Sequence, residues 1–163
     1  MTTSIPEDPT VPNPTNIYPH PFPAPSKQVS GLVSGIQTDV SCLSFADKIV
    51  VTISQGGRLG QWISLPLTTT SPTAYDTILP SPSANGMILP LEHLTPKTML
   101  GAGGENRERI GHLYATQIGS MILQKNPEER RTVMVGLGLE KSASEGGGRE
   151  GYFDLLELIV GVL

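Results

Sequence analysis

The sequence predicts an α+β fold: an antiparallel sheet of about six strands with two helices packed on one face, the other face serving dimerisation. Three observations lead there. Strand-like segments come first along the foldable chain and helix-periodic segments come late, the pattern of a sheet whose helices are segregated to one side. The stretch Ile36 to Leu65 reads as three consecutive antiparallel strands with two tight turns. Two helices cover only one sheet face, yet strand parity puts Leu43, Phe45, Val50, Trp62 and Met134 on the other. A face that met water would be polar, so a second protein surface is expected there.

Residues 1–25 hold eight of the 15 prolines. That density removes amide donors and blocks both helix and ladder bonding, so this segment is predicted to be a disordered or polyproline II tail. The PxxP spacings from Pro6 to Pro12 arise by chance in so proline-rich a tract, and a solvated tail is preferred over a ligand for an SH3-type groove. The folded domain is predicted over 26–163. Lys27 to Val33 forms its first strand, and Gly35 marks the turn that follows.

Thr38, Val40 and Cys42 alternate with Asp39, Ser41 and Leu43, the period-2 signal of a strand. Asp47 centres the next turn. Ile49 to Ile53 is β-branched throughout and favours a pleated strand. The paired glycines of Gln55-Gly56-Gly57-Arg58 permit the positive φ angles of a primed hairpin turn, after which Leu59 to Leu65 returns with the only tryptophan, Trp62.

Residues 66–86 (PLTTTSPTAYDTILPSPSANG) have no periodicity and read as a Ser/Thr/Pro-rich surface insertion, which chain entropy tolerates at small cost. Ser71-Pro72 and Ser81-Pro82 within it are possible phosphorylation sites of low specificity. Met87 to Leu91 and Thr95 to Leu100 give one or two further strands, pushed to an edge by Pro90 and Pro96, since an edge tolerates a missing amide.

Gly101-Ala102-Gly103-Gly104 leads into a helix whose apolar residues are Ile110, Leu113, Tyr114, Ile118, Met121 and Ile122, spaced by three and four. Glu105 and Glu108 near its start and Lys125 near its end suit the helix dipole, and Asn126-Pro127 stops it. Arg131 to Leu139 is a strand with Val133, Val135, Leu137 and Leu139 on one face and Met134, Gly136 and Gly138 on the other. After a glycine-rich loop, Lys141 to Gly151, a closing helix spans about Tyr152 to Leu163, with Phe153, Leu156, Ile159, Val160 and Leu163 as its apolar face.

The totals restrict function more than they define it. The chain has 163 residues, is 37% hydrophobic and carries 18 glycines beside its prolines, so the foldable part is about 130 residues, enough for one core. A net charge of −4 with eleven scattered basic residues offers no basic stripe for a phosphate backbone, and no nucleic-acid partner is expected. A single cysteine, Cys42, excludes an intrachain disulfide and a multi-cysteine zinc site; in a strand beside Val40 it reads as a small buried hydrophobe. The first 26 residues contain no Lys or Arg, so neither a signal-peptide n-region nor an Arg-rich transit peptide is predicted. No aliphatic run is longer than three residues, as in Leu158 to Val160, too short to span a bilayer. No membrane partner is expected, and the predicted compartment is the cytoplasm, with the nucleus open to it as well.

Candidate chemistry is sparse. The Gly101–Gly104 loop lies between a strand and a helix, where phosphate loops sit, but it lacks the Lys-Ser/Thr ending of a P-loop and the full GxGxxG spacing. A tight connection is the preferred reading. His20, His93 and His112 form no HxH or HExxH pair, no metal site is predicted, and there is no GxSxG elbow. No catalytic residue, metal ligand or cofactor is assigned. Arg107 and Arg109 with Glu105 and Glu108 form a charged cluster that reads as a solvent face, with docking of an acidic partner as the alternative.

Several segments together resemble the proteasome assembly chaperone 3 family. They are Lys27-Gln28-Val29, Thr38-Asp39-Val40-Ser41-Cys42, Phe45 with Asp47-Lys48-Ile49-Val50-Val51-Thr52, and Gln55-Gly56-Gly57-Arg58-Leu59-Gly60. Met99-Leu100-Gly101, a helix, Val133-Met134-Val135 and a terminal helix follow in the family's order. The resemblance covers roughly Ser26 to Leu163 without the insertion. The tail and the insertion fall outside the family core and are elaborations of a kind common in filamentous fungal proteins.

The resemblance implies a small non-catalytic chaperone of 20S proteasome assembly with no cofactor. It implies a heterodimer with a proteasome assembly chaperone 4-like partner through the sheets, binding to proteasome α subunits, support of α-ring formation and release before maturation. Val50, Trp62 and Met134 are the dimer-face candidates by parity. Gln55, Gly57 and Arg58 are turn candidates, read as geometry first and as a partner contact second. Two other readings stay open: a small adaptor of roadblock or profilin-like type, and a nucleotide-binding protein using Gly101–Gly104.

Overall fold

Eight consecutive residues that alternate side by side with nine others build the first hairpin. Strand β1 (Ser26–Val33) pairs antiparallel with β2 (Ile36–Ser44), from Ser26 opposite Leu43 to Val33 opposite Ile36. The two-residue loop between them has positive φ at both positions, Ser34 at 51° and Gly35 at 79°, the backbone that matches the right-handed twist of paired strands. The computed structural model describes residues 24–68, 90–91, 93–140 and 148–163. Nearly all of the tail, most of the insertion with Ser71 and Ser81, the Met87–Leu89 part of the proposed strand, His20 and the greater part of the Lys141 loop lie outside the described residues.

Strand β3 (Lys48–Gln55) continues antiparallel to β2, and the Phe45 amide closes the turn on the Lys48 carbonyl at 2.9 Å. The next connection corrects the expected meander. The turn itself forms as its glycines predict, with Gly56 at φ 62°, Gly57 at φ 70° and the Arg58 amide 3.4 Å from the Gln55 carbonyl. Strand β4 (Gln61–Pro66), however, does not pair with β3. Strand β6 (Thr132–Gly138) lies between them, parallel to β3 and antiparallel to β4. With β5 (Lys97–Leu100) on the outer edge, the order is β1-β2-β3-β6-β4-β5. The sheet is six-stranded and mixed, with one parallel pair.

The physical reason is burial. Val133 and Val135 are fully buried and Gly136, Leu137 and Gly138 nearly so, so β6 needs neighbours on both sides and both faces, as parallel strands do. Leu59 and Gly60 step the chain across the width of one strand, and the Gly60 amide donates to the Leu137 carbonyl at 2.9 Å. Gly138 lies directly beneath the turn, where any Cβ would overlap the Arg58 carbonyl.

A charged clasp holds β6 in register. Arg131, just before β6, donates to Ser44 Oγ at 2.8 Å and to the Phe45 carbonyl at 2.6 Å, tying β6 to the β2–β3 turn. Glu129 holds the other edge of that guanidinium at 2.7 and 2.9 Å and accepts the Arg130 and Arg131 amides. The Arg131 hydrogen bonds hold the Glu129 carboxyl down at about 2, against an ordinary 4.5.

Both helices cover one face, as predicted. Helix α1 (Glu105–Lys125) lies over β4 and its neighbours, and helix α2 (Gly148–Val162) lies over β1 and β2. Their rotations differ from the apolar-stripe reading. The α1 side against the sheet is Gly111, Tyr114, Ala115, Ile118, Gly119 and Ile122, while Leu113 is 43% exposed. A Cβ on Gly111 would meet Gln61 and Ile63, and one on Gly119 would meet Leu65, Leu67 and Leu94. The small residues thus let α1 approach β4 closely. In α2 the buried side is Leu155, Leu156, Ile159 and Val162, and Val160 is 59% exposed. Tyr114 and Tyr152 bridge the two helices with ring centroids 5.5 Å apart.

Candidate interaction surface on the open face of the sheet

The ladder registers define the face that the helices leave open. Leu43 stands opposite Val50, Val50 opposite Met134 and Met134 opposite Ser64. The next row across is Ser41, Thr52, Gly136, Trp62 and Leu100. Directly opposed residues share a face, so Val50, Trp62 and Met134 lie on one surface, opposite the buried Ile49, Val51, Ile63 and Val135. The three parity candidates are brought together and each is half-buried.

Trp62 lies flat over its neighbour: the position a Cβ would take on Gly136 is 3.0 to 3.2 Å from three atoms of the indole. Gly136 is therefore the floor on which the indole rests, and Leu100, 67% exposed, extends the apolar area to the β5 edge. Toward β1 the same face turns polar. Ser41 Oγ and Thr52 Oγ1 are 2.6 Å apart, and Ser30 donates to Asp39 at 2.5 Å. Sequence reasoning put Gly136 on the face of Met134 but missed it as the floor of the indole, and missed Leu100 as part of this surface, because both depend on which strand lies beside β4.

The turn candidates separate. Gly57 and Arg58 are exposed at the tip. Gln55 lies inside: its side chain is fully buried. Its Nε2 donates to Thr38 Oγ1 at 3.0 Å and its Oε1 accepts the Glu140 amide at 2.8 Å. Gln55 belongs to the core side of β3 and fixes both β2 and the exit of β6, which is the geometric role.

Elsewhere the side chains build connections. Gly101 packs against the backbone of Gly60 and Gln61, and Arg107 lies against Gly60 and Gly103, so the glycine loop is filled from within the chain. His112 Nε2 is 2.9 Å from Thr98 Oγ1 and 3.9 Å from Glu108, linking α1 to β5. Arg109 donates to Asn106 at 3.3 Å. Cys42 packs against the core, and burial pushes its thiol above the ordinary range. Among the described residues no group of three His, Cys, Asp or Glu could hold a metal ion, and no helix is long and apolar enough to cross a membrane.

No sequence model of a known protein family matches the chain. It is similar to proteasome assembly chaperone 3 of Homo sapiens, 27% identical over 74% of this chain and 82% of that protein. It is similar to the Mus musculus protein of the same name, also 27% identical, over 74% and 81% of the two chains. Among solved structures, a chain from a chaperone complex for yeast 20S proteasome assembly superposes with a TM-score of 0.51 over 86% of this chain and 98% of its own, at 13% identity. That likeness is one of fold, whereas the sequence similarity spans most of the chain. The chain is thus similar in sequence to the proteins named proteasome assembly chaperone 3 and shares the fold found in the yeast assembly-chaperone complex.

Proposed function

We propose that this chain is a non-catalytic chaperone of 20S proteasome assembly that works as one half of a chaperone pair. A proteasome assembly chaperone 4-like partner closes on the open sheet face, and the pair holds proteasome α subunits in register while the α ring forms, then leaves before maturation. The work is done in the cytoplasm or nucleus and needs no cofactor. The observation that carries the reading is the half-buried strip of Leu43, Val50, Met134 and Trp62 on a face that neither of the two described helices covers. The similarity to proteasome assembly chaperone 3 supplies the cellular process.

The strip has the make-up of an interface centre. Trp and Met are enriched where partners are fully desolvated, and a second sheet would pack about 10 Å above the first with its side chains between. The mechanism is surface complementarity without bond chemistry: the partner's sheet removes the strip from water, and a competing surface displaces the chaperone later.

Affinity purification of the full chain from its own cells tests this. Recovery of a small sheet-bearing partner with free α subunits and without mature proteasome activity is expected. Val50→Asp and Met134→Asp should each abolish partner recovery while the melting temperature stays within a few degrees, because these side chains lie outside the helix-covered core. Unchanged recovery from both variants would overturn the assignment of the face.

A further inference from the structure

We propose that the open face is also the docking site of the chain's own N-terminal tail, with residues 17–23 (IYPHPFP) crossing it over Leu43, Val50, Met134 and Trp62. The tail would then be an internal competitor for the surface assigned above to a partner. That competition rests on the function proposed above; the docking itself does not.

Four observations carry it. The first is where the tail ends. Ser26, the first residue of β1, stands opposite Leu43 and begins the very row that continues through Val50 and Met134. Ala24 is buried although it lies outside the main core, so the chain joins β1 already packed.

The second is length. From β1 to β4 there are four strand spacings, together about 19 Å. Seven residues in the extended form that alternating prolines impose span about 22 Å. Residues 17–23 therefore reach from Ser26 to Trp62 and little farther.

The third is composition. Tyr18 and Phe22 are the only aromatic residues between Met1 and Ser44, and with Ile17 they are concentrated just before β1 rather than spread along the tail. Pro19, Pro21 and Pro23 alternate with them. Proline-rich segments dock on exposed aromatic rings at little entropic cost because the extended form is preset, and the Trp62 indole lies flat and half-exposed on its glycine floor.

The fourth is shape. A shallow hollow of about 450 Å³ opens on this face beside the start of β1, lined by Ser26, Lys27, Gln28, Ser41 and Leu43. It lies beside Ser26, four residues along the chain from Phe22, and is large enough for a phenyl ring.

Trp62 is the only tryptophan, so its fluorescence reports this face directly. The test uses the full chain, diluted until it is monomeric by size exclusion. Substituting Tyr18→Ala together with Phe22→Ala should shift Trp62 emission to longer wavelength and increase its quenching by acrylamide. Both substitutions lie outside the described strands and helices, and an unchanged far-ultraviolet circular dichroism spectrum separates a local change at Trp62 from loss of the fold. Superimposable spectra and quenching would overturn the proposal.

Benzoylphenylalanine placed at position 22 provides a second measurement. Crosslinks within one chain to peptides containing Leu43, Val50, Met134 or Trp62 are expected. Crosslinks found only between chains would assign the face to a second copy, and crosslinks to α2 or none at all would place the tail elsewhere; either outcome overturns the proposal. Partner capture by the Tyr18→Ala/Phe22→Ala chain should exceed that of the unaltered chain. If the spectra change but no partner is captured by either chain, the tail contact stands and the proposed function fails.

Discussion

At the scale of single residues, two buried polar groups decide how the strands meet. Gln55 bonds Thr38 through one amide atom and Glu140 through the other. Truncation in Gln55→Ala leaves the Glu140 amide without this acceptor and opens a gap, a loss of about 2 kcal/mol; chemical denaturation should show it as a lower midpoint at constant slope. Glu129 carries the pH dependence. Its carboxyl is held at about 2 in the fold against an ordinary 4.5, so the unfolded chain binds the extra proton between those values. The stabilisation is complete above the ordinary value and is lost as pH falls from about 4.5 toward 2. Acid titration followed by circular dichroism should show a loss in that window that is reduced in Glu129→Gln, which has no carboxyl to titrate. Parity placed Val50, Trp62 and Met134 together from the sequence, because side-chain alternation along a strand is local. It could not show that Gln55 is buried, since that depends on β2 and the residues after β6 arriving on either side.

At the scale of elements, the helices are rotated relative to the stripes of large apolar residues. Gly111, Ala115 and Gly119 carry little weight in a hydrophobic pattern, yet they face β4 because their small size lets the helix sit close. Gly119→Leu should therefore lower stability by about 2 kcal/mol or more through overpacking against Leu65 and Leu94, while Leu113→Ala should stay within about 0.5 kcal/mol. The same contrast holds in α2: Leu155→Ala should lose about 2 to 5 kcal/mol, and Val160→Ala, at a largely exposed site, about 0.5 kcal/mol at most. Thermal melts of the four variants check the rotations. The hairpin turns were legible because glycine and its neighbours set φ locally. The partner of β4 was not, because a turn specifies that the chain reverses and leaves open whether another strand enters the gap.

At the scale of the whole molecule, the mixed sheet depends on threading β6 between β3 and β4. The pairing of Val51 with Val135 joins distant parts of the chain, and the loop-closure entropy of such contacts must be met before they stabilise anything. Gly138 is the tightest point, beneath the Arg58 carbonyl. Gly138→Val should displace the Gln55–Arg58 turn or expel the end of β6. Either outcome would appear as a melting temperature lowered by many degrees or as insoluble chain on expression. The same threading places Gly136 under Trp62 and sets Leu100 beside it, so the candidate interface is assembled only when the sheet is complete.

The sequence by itself determined the α+β class, about six strand-forming segments, two helices on one face and an apolar excess on the other. These follow from side-chain periodicity and turn chemistry, which act over a few residues. The tertiary structure decided the strand order, the parallel β3–β6 pair, the helix rotations and the burial of Gln55. Those depend on burial summed over distant segments. A central strand with no polar face must take neighbours on both sides, and that demand outweighs the local tendency of two adjacent strands to close a hairpin.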